Sequence, residues 1–69
     1  DPTAALSSRQ REALRVAVAC GYYADPRDAT LEAVAEELDC AAGTAAEHLR
    51  KAEATVLERV VDTIPGGRT

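Results

Sequence analysis

The stretch LEAVAEELDCAAGTAAEHLRKAE, residues 31–53, constrains the fold more than any other part of the chain, because two short helical patterns meet there across a tight turn. Apolar Val34 and Leu38 lie on one helix face, and small Ala35 stands where two helices can cross closely. Four positions after Ala35, Asp39 is one of the few non-glycine residues that tolerate a left-handed backbone. We therefore predict two helices joined at a sharp angle.

The residues after the turn complete a five-point spacing that is typical of a helix-turn-helix. Cys40 is apolar and can plug the core between the helices, Ala45 is small enough to pack under the preceding helix, and Leu49 closes one side. An ordinary helical hairpin in a bundle fits the same spacing. On spacing alone, a DNA-reading motif and a purely structural hairpin both stay open.

A first helical segment is predicted before this stretch. Ser7 and Gln10 have the spacing of a capping box, in which each side chain bonds to the other residue's backbone amide. Gly21 can close the helix, because glycine adopts the left-handed conformation without strain. The predicted inward face consists of Ala13, Leu14, Ala17, Val18 and Gly21. The residues predicted to lie mostly in solvent are Arg9, Arg11, Glu12 and Arg15.

Thr30, a good N-cap residue, opens the second helix. The third helix starts at Ala41 or Ala42 and can extend to Ile64, because the run Pro-Gly-Gly at 65–67 stops a helix. Its predicted inward stripe is Ala45, Leu49, Ala52, Val56 and Val60.

The chain has 69 residues, which is enough for one domain with a small core. It contains fifteen Ala but no Phe, Trp or Met, so the core must be built from small side chains on close helices. We predict an all-α fold of three to four helices, a helix-turn-helix domain with a long C-terminal helix. The domain is predicted to span residues 6–64 between tails at 1–5 and 65–69, and to be a piece of a longer protein.

The net charge of −4 and the pI of about 4.8 argue against a generic nucleic-acid binder, which usually carries a basic footprint. Seven of the eight basic residues are Arg, and an acidic, Lys-poor, Ala-rich composition is expected in a salt-loving organism with a GC-rich genome. In molar salt the Debye length is only about 3 Å, so a negative charge repels DNA much less. The composition therefore fits DNA binding in such a cell, and it also fits an ordinary solvated acidic surface.

The sequence contains no pattern typical of a metal site, a disulfide framework or an enzyme. Cys20 and Cys40 are expected to be buried free thiols, because there is no CxxC spacing and His48 is the only histidine. No paired-carboxylate cleft, nucleophile with a base, or Gly-rich phosphate loop is present, so we expect neither catalysis nor a cofactor. No apolar run approaches the ~20 residues of a membrane span, and no signal peptide is recognisable. We expect a soluble, cytoplasmic protein that does not bind membranes.

Five motifs cover most of the chain outside the tails: LSSRQREAL at 6–14, GYY at 21–23, PRDATLE at 26–32, AEEL at 35–38 and TAAEHLRKAE at 44–53. Together they resemble the C-terminal helix-turn-helix domain of haloarchaeal transcriptional regulators of the bacterio-opsin activator type. The chain is more distantly similar to the promoter-reading region of sigma factors and to LuxR-type output domains. The resemblance implies sequence-specific binding of duplex DNA, in proteins whose N-terminal portions often carry sensor domains.

The start of the third helix departs from this family's usual pattern. Asp39, Cys40 and Ala41 stand where the family usually has Gly-Ile-Ser, and Ala41 cannot cap the helix as Ser does. The polar residues usual after the cap are replaced by Ala42 and Gly43. Each defect costs about 1 kcal/mol. We therefore expect this helix to fray at its start when DNA is absent.

The face of the third helix that points away from its core side carries the candidate DNA-contacting residues. Only Arg50 has a side chain suited to bidentate reading of a base edge, and it lies two turns into the helix, where phosphate contact is common. The remaining candidates on this helix are Ala42, Gly43, Thr44, Ala46, Glu47, His48 and Lys51. Arg27 and Thr30, at the start of the second helix, are candidates for holding phosphate. A solvated surface, without DNA contact, is the alternative for all these charges.

The small residues of this face suit a particular kind of reading. Ala42 and Ala46 can touch thymine methyl groups, and Thr44 can bond to a base edge or a phosphate. Glu47 can accept from a cytosine amino group or repel wrong sequences. Specificity would then rest on shape, methyl contact and a second copy of the domain.

Four apolar residues near the chain end, Leu57, Val60, Val61 and Ile64, form what we call the C-terminal stripe. Burying each is worth about 1.5–3 kcal/mol, so a partner surface is expected. One alternative is that the stripe folds back on Leu6, Val16 and the first helix. The other is a two-fold homodimer through these last turns.

The sequence leaves two classes of function open. The first is the DNA-binding output domain of a transcriptional regulator, which reads the major groove with the helix beginning near Ala42. The second is a degenerate helix-turn-helix that serves as a protein-interaction or dimerisation module, which the bare reading face and the negative charge favour.

We predict that the fold needs salt. Self-repulsion among unbalanced carboxylates lowers stability in dilute buffer, and the small core leaves little reserve. The thermal midpoint, followed by circular dichroism, should rise steadily from dilute buffer to molar potassium chloride. A midpoint that does not change with salt would contradict the halophilic interpretation.

Overall fold

The structure, a computed structural model, describes Asp1 and residues 3–66, and it contains three helices within that part of the chain. They are α1, Ser8–Cys20, α2, Leu31–Leu38, and α3, Ala42–Val61. Each helix packs against both of the others. The fold is the predicted all-α helix-turn-helix domain with a long C-terminal helix.

Both ends of α1 have the predicted caps. The backbone amide of Gln10 donates to Ser7 Oγ at 3.1 Å, and the amide of Ser7 donates to Gln10 Oε1 at 3.0 Å, so the capping box is confirmed. Gly21 ends the helix in the left-handed conformation, with φ of 92°, and its amide donates to the carbonyl of Val18 at 3.2 Å.

The α2–α3 turn is built by the backbone. Thr30 Oγ1 caps α2 by accepting from the amide of Ala33 at 3.1 Å. At the other end Asp39 adopts the left-handed conformation, with φ of 58° and ψ of 48°. The amide of Cys40 then donates to the carbonyl of Ala35 at 3.0 Å, which closes the turn. The prediction that Asp39 takes the place of the usual glycine is therefore confirmed.

Small side chains dominate the core, because five of its nine buried residues are alanine. The buried residues among those described are Leu6, Ala13, Ala17, Val34, Ala35, Leu38, Ala45, Leu49 and Ala52. Val34 is the largest side chain that is fully buried. Alanine at the crossing points lets the three helices approach closely, as the composition predicted.

Two parts of the predicted inward faces are wrong. On α1, Val18 is 65% exposed, because it follows buried Ala17 by one position and is rotated about 100° around the helix. Leu14 is half-buried but does pack against the core, as predicted. On α3 the buried stripe ends with Ala52, Val56 is half-buried, and Val60 is 41% exposed.

The two cysteines are free, as expected, but they are half-buried rather than buried. Cys20 lies at the last turn of α1 and Cys40 in the turn after α2, so both contact the core from its edge. The expectation of buried thiols is corrected to this extent.

The chain ends also differ from the prediction. α3 ends at Val61, three residues before Ile64, and the chain continues in tighter turns in which Ile64 donates to the carbonyl of Val61 at 2.9 Å. At the other end, the amide of Leu6 donates to the carbonyl of Thr3 at 3.1 Å, so residues 3–6 form a turn. Positions 2 and 67–69 of the predicted tails lie outside the described residues, and the boundaries of the domain stay a prediction.

We predict opposite effects of alanine at two glycines. Gly21→Ala should destabilise the domain by about 1–2 kcal/mol, because φ is positive there and a Cβ would lie 2.7 Å from Asp28 Cβ. Gly43→Ala is the matched control, since a Cβ there meets nothing within 4 Å, and it should stabilise α3 by up to about 1 kcal/mol. Denaturant unfolding measures both changes. Equal stabilities of the two variants would contradict the structure at Gly21.

Candidate nucleic-acid interface

The outer face of α3 brings most of the predicted contact residues together. Gly43, Thr44, Glu47, Arg50 and Lys51 are exposed along the first two and a half turns of the helix. The other three candidates on α3 are half-buried at its flanks: Ala42, Ala46 and His48. Ala42 also packs against the hydrophobic core, so only part of its surface is free for a ligand.

The two basic side chains of this face, Arg50 and Lys51, share one carboxylate. Arg50 Nη2 lies 3.3 Å from Glu47 Oε1, and Lys51 Nζ lies 3.5 Å from the same oxygen. These two positive charges, Arg50 first, hold the pKa of the Glu47 carboxyl below its usual range. All three side chains are more than half exposed, so the pairs contribute little to stability. Their main effect is to offset the positive charge that α3 presents.

The N-terminus of α3 is open, as the sequence predicted. Ala41 occupies the cap position with φ of −69° and ψ of 152°, and no side chain bonds to the amides of the first turn. Ala42 and Gly43, which follow, add almost no bulk. This helix end is therefore sterically bare, and its amides point outward with the positive end of the helix dipole.

Arg27 and Thr30 lie at the start of α2, separate from the α3 face in the chain. Thr30 Oγ1 is already engaged as the α2 cap. The guanidinium carbon of Arg27 lies 4.4 Å from the ring centroid of Tyr22, in a cation–π contact. Tyr22 is half-buried against the core, so the ring is a fixed support for the exposed Arg27.

Sequence reasoning missed the structural role of the two tyrosines. The hydroxyl of Tyr23 donates to a carboxylate oxygen of Glu53, which connects the segment after α1 to α3. Burial first, then the hydrogen bond and charge of Glu53, raise the pKa of Tyr23 above its ordinary value. Tyr22 and Tyr23 meet edge to face at 5.0 Å, so this tie also positions the ring that carries Arg27. The signal in the sequence was the pair of adjacent aromatics directly after a helix stop.

Most of the C-terminal stripe faces solvent. Leu57 is 59% exposed, Val60 41% and Ile64 52%, whereas Val61 is half-buried. The alternative in which the stripe folds back on Leu6, Val16 and α1 is therefore wrong for these three side chains. The reason is length: α3 has 20 residues, or about 30 Å, against 13 in α1 and 8 in α2.

The described part of the chain contains no group of His, Cys, Asp and Glu that could hold a metal ion. Within the same residues, no helix is both long enough and apolar enough to cross a membrane.

An angled helix pair, a left-handed turn and an exposed, bare α3 define a helix-turn-helix domain. Residues 6–58 match the family described as the HTH DNA binding domain. The chain belongs to this family, the bacterio-opsin activator type of helix-turn-helix found in haloarchaeal transcriptional regulators. The resemblance read from the motifs is thereby confirmed.

Two curated relatives come from Haloferax volcanii. Transcriptional regulator NarO is 40% identical over 57 residues, which are 83% of this chain and 27% of that protein. A putative transcriptional regulator is 39% identical over 59 residues, which are 86% of this chain and 10% of that protein. The chain thus spans about a quarter or less of the length of these relatives. No solved structure matches it.

We predict that a serine at the open helix end stabilises the domain. Ala41→Ser supplies the missing cap oxygen to the first-turn amides of α3 and should add about 1 kcal/mol to the free energy of unfolding. Ala41→Val, which has no cap oxygen, is the control and should give no gain. Denaturant unfolding at fixed salt measures the free energies of unfolding. Equal midpoints for the serine and valine variants would contradict an α3 N-terminus that lacks a side-chain cap.

Proposed function

We propose that the chain is the sequence-specific DNA-binding output domain of a transcriptional regulator and that α3 enters the major groove from its Ala42 end. The observation that carries the proposal is the exposed outer face of α3, held at an angle to α2 by the turn at Asp39. Membership of a DNA-binding family supports it. A major groove about 12 Å wide admits one α-helix, and a bare helix surface fits deeply.

The small residues set how the groove is read. Ala42, Gly43 and Ala46 let the backbone of α3 come close to the base edges, and the alanine methyl groups can contact thymine methyls. Thr44, exposed in the first turn, supplies one hydroxyl for a base edge or a phosphate. His48, half-buried at the flank, contacts the wall of the groove in this arrangement.

Arg50 and Lys51 contact phosphates in this proposal. Both are exposed and both rest on Glu47 in the free protein, so DNA binding exchanges one carboxylate partner for phosphate oxygens. Glu47 then faces the duplex, where its negative charge opposes non-specific binding. A cytosine amino group that donates to Glu47 offsets this repulsion at the correct site.

Arg27 and Thr30 form a second phosphate contact beside the start of α2. The ring of Tyr22 supports the guanidinium of Arg27, and the positive end of the α2 dipole lies next to Thr30. Two anchors, one just before α2 and one on α3, fix the orientation of α3 on the duplex.

The proposed working form is a homodimer that associates through the C-terminal stripe. Exposed Leu57, Val60 and Ile64 supply the apolar surface, with Val61 at its edge. Two weak readers on one duplex gain affinity through effective concentration. A two-fold dimer implies a palindromic site with half-sites one helical turn apart or a multiple of it. In the parent protein, sensor domains N-terminal to this domain would supply the signal.

A second candidate function is that of a protein-interaction module, in which the helix-turn-helix no longer recognises DNA. The observation in its favour is that Glu47 offsets the charges of Arg50 and Lys51 on the outer face of α3, in a chain of net charge −4. A selection on random duplexes at molar potassium chloride, with the domain tethered as a dimer, separates the two. Enrichment of a palindromic sequence supports the DNA-binding output domain. A pool in which no sequence is enriched supports the interaction module.

We predict opposite effects of charge changes on the α3 face. Arg50→Ala and Lys51→Ala should each weaken binding to every duplex and flatten the salt dependence by about one unit of slope, because each removes one phosphate contact. Glu47→Gln should strengthen binding to non-specific duplexes more than to the correct site, because it frees Arg50 and Lys51 and removes a repelling charge, while the charged contact with a cytosine amino group is lost. Fluorescence anisotropy across a salt series measures all three.

Arg9→Ala is the matched control, since Arg9 is an exposed arginine on α1, outside both the proposed DNA interface and the proposed dimer contact. If Arg50→Ala and Lys51→Ala bind like this control at every salt concentration, the phosphate assignment is wrong.

A further inference from the structure

The outer side of α1 carries an open groove with a volume of about 630 Å³. We call it the α1 groove; its lining residues are Thr3, Leu6, Arg11, Leu14, Arg15, Val18 and Ala19. Leu6 is buried and Leu14 half-buried, whereas Val18 is 65% exposed and is the most exposed large apolar side chain described. An apolar groove of this size on so small a domain is large enough to receive several side chains.

The rim of the α1 groove is basic and partly fixed. The guanidinium of Arg11 donates through Nε and Nη2 to the carbonyl of Thr3, at 3.3 and 3.2 Å, which holds the turn at residues 3–6 as one wall. Arg15 is exposed and makes no ion pair within the described residues. An occupant that fits has an apolar face flanked by negative charge.

The C-terminal stripe has that chemistry. Leu57 and Val60, on the last turns of α3, and Ile64, in the turns that follow, are exposed, and the exposed carboxylate of Glu58 lies in the same segment. The stripe and the α1 groove are thus two apolar surfaces of one chain with complementary borders.

We propose that the α1 groove is the docking site for the C-terminal stripe of a second copy of this chain. In the two-fold dimer each copy inserts its stripe into the groove of the other, so the contact is made twice. A single contact of this size is small, and the repetition brings the buried area towards that of a stable interface. The inference rests on the proposed homodimer but not on DNA binding.

Charge favours this arrangement over the packing of stripe against stripe. In an antiparallel pair of stripes related by a two-fold axis, the same flank of each helix meets its counterpart. Glu58 of one copy would then lie on the same side of the interface as Glu58 of the other, and like charges at an interface are unfavourable. In the α1 groove the same flank approaches Arg11 and Arg15 instead.

The test is a complementation experiment by analytical ultracentrifugation in molar potassium chloride. Val18→Glu damages only the groove, Leu57→Glu damages only the stripe, and Ala33→Glu, on an exposed position of α2, is the matched control. Circular dichroism establishes that each variant remains helical. Wild type and the control should form dimers at millimolar concentration, and each damaged variant should dissociate at least about tenfold more easily.

Mixing the two damaged variants supplies the decisive result. The intact stripe of Val18→Glu fits the intact groove of Leu57→Glu, so an equimolar mixture should form heterodimers with one intact contact, more tightly than either variant forms homodimers and less tightly than wild type. A wild type that stays monomeric at millimolar concentration overturns the proposal. So does a Val18→Glu variant that dimerises like wild type, because the stripes would then pack on each other, or a mixture that dimerises no more tightly than either variant alone. Anisotropy with duplex DNA, measured separately, tests the proposed DNA function whatever these results are.

Discussion

The left-handed turn at Asp39 is the interaction on which the rest of the domain depends. It ends α2, lets Cys40 donate to the carbonyl of Ala35, and sends the chain into α3 at a new angle. That angle places Ala45 and Leu49 against α2 and leaves the opposite face of α3 exposed. The turn is made by backbone conformation and a backbone hydrogen bond. Its geometry therefore does not depend on bulky apolar side chains, which residues 39–43 lack.

Local signals in the sequence predicted the helices and their caps well. Ser7, Gln10, Gly21, Thr30 and Asp39 all act within a few residues of themselves, so their roles can be read without knowing the tertiary fold. Helical phase was less reliable at the edges of the core. Val18 is one position after a buried alanine, and whether it is covered depends on a neighbouring helix that its own sequence does not reveal.

The candidate site also combines features that local sequence predicts with features that depend on the packed structure. The exposed positions of α3 follow from phase, and the missing cap follows from Ala41 alone. The bond of Tyr23 to Glu53 depends instead on where the segment after α1 passes over α3, and the contact of Arg27 with Tyr22 depends on how that segment folds. Contacts between residues 30 positions apart need the packed structure, because no local pattern encodes them.

The alanine-rich core has a consequence for how a signal can pass through the domain. Alanine has no side-chain rotamers, so the alanine contacts between the helices have no alternative packing to switch between. A change transmitted across these contacts moves a helix as a rigid body or unwinds a helix end. The first turn of α3 has no side-chain cap, so it is a place for such unwinding, and it lies beside the exposed outer face of the helix. Information would then travel as the order or disorder of one helical turn, with the core itself unchanged.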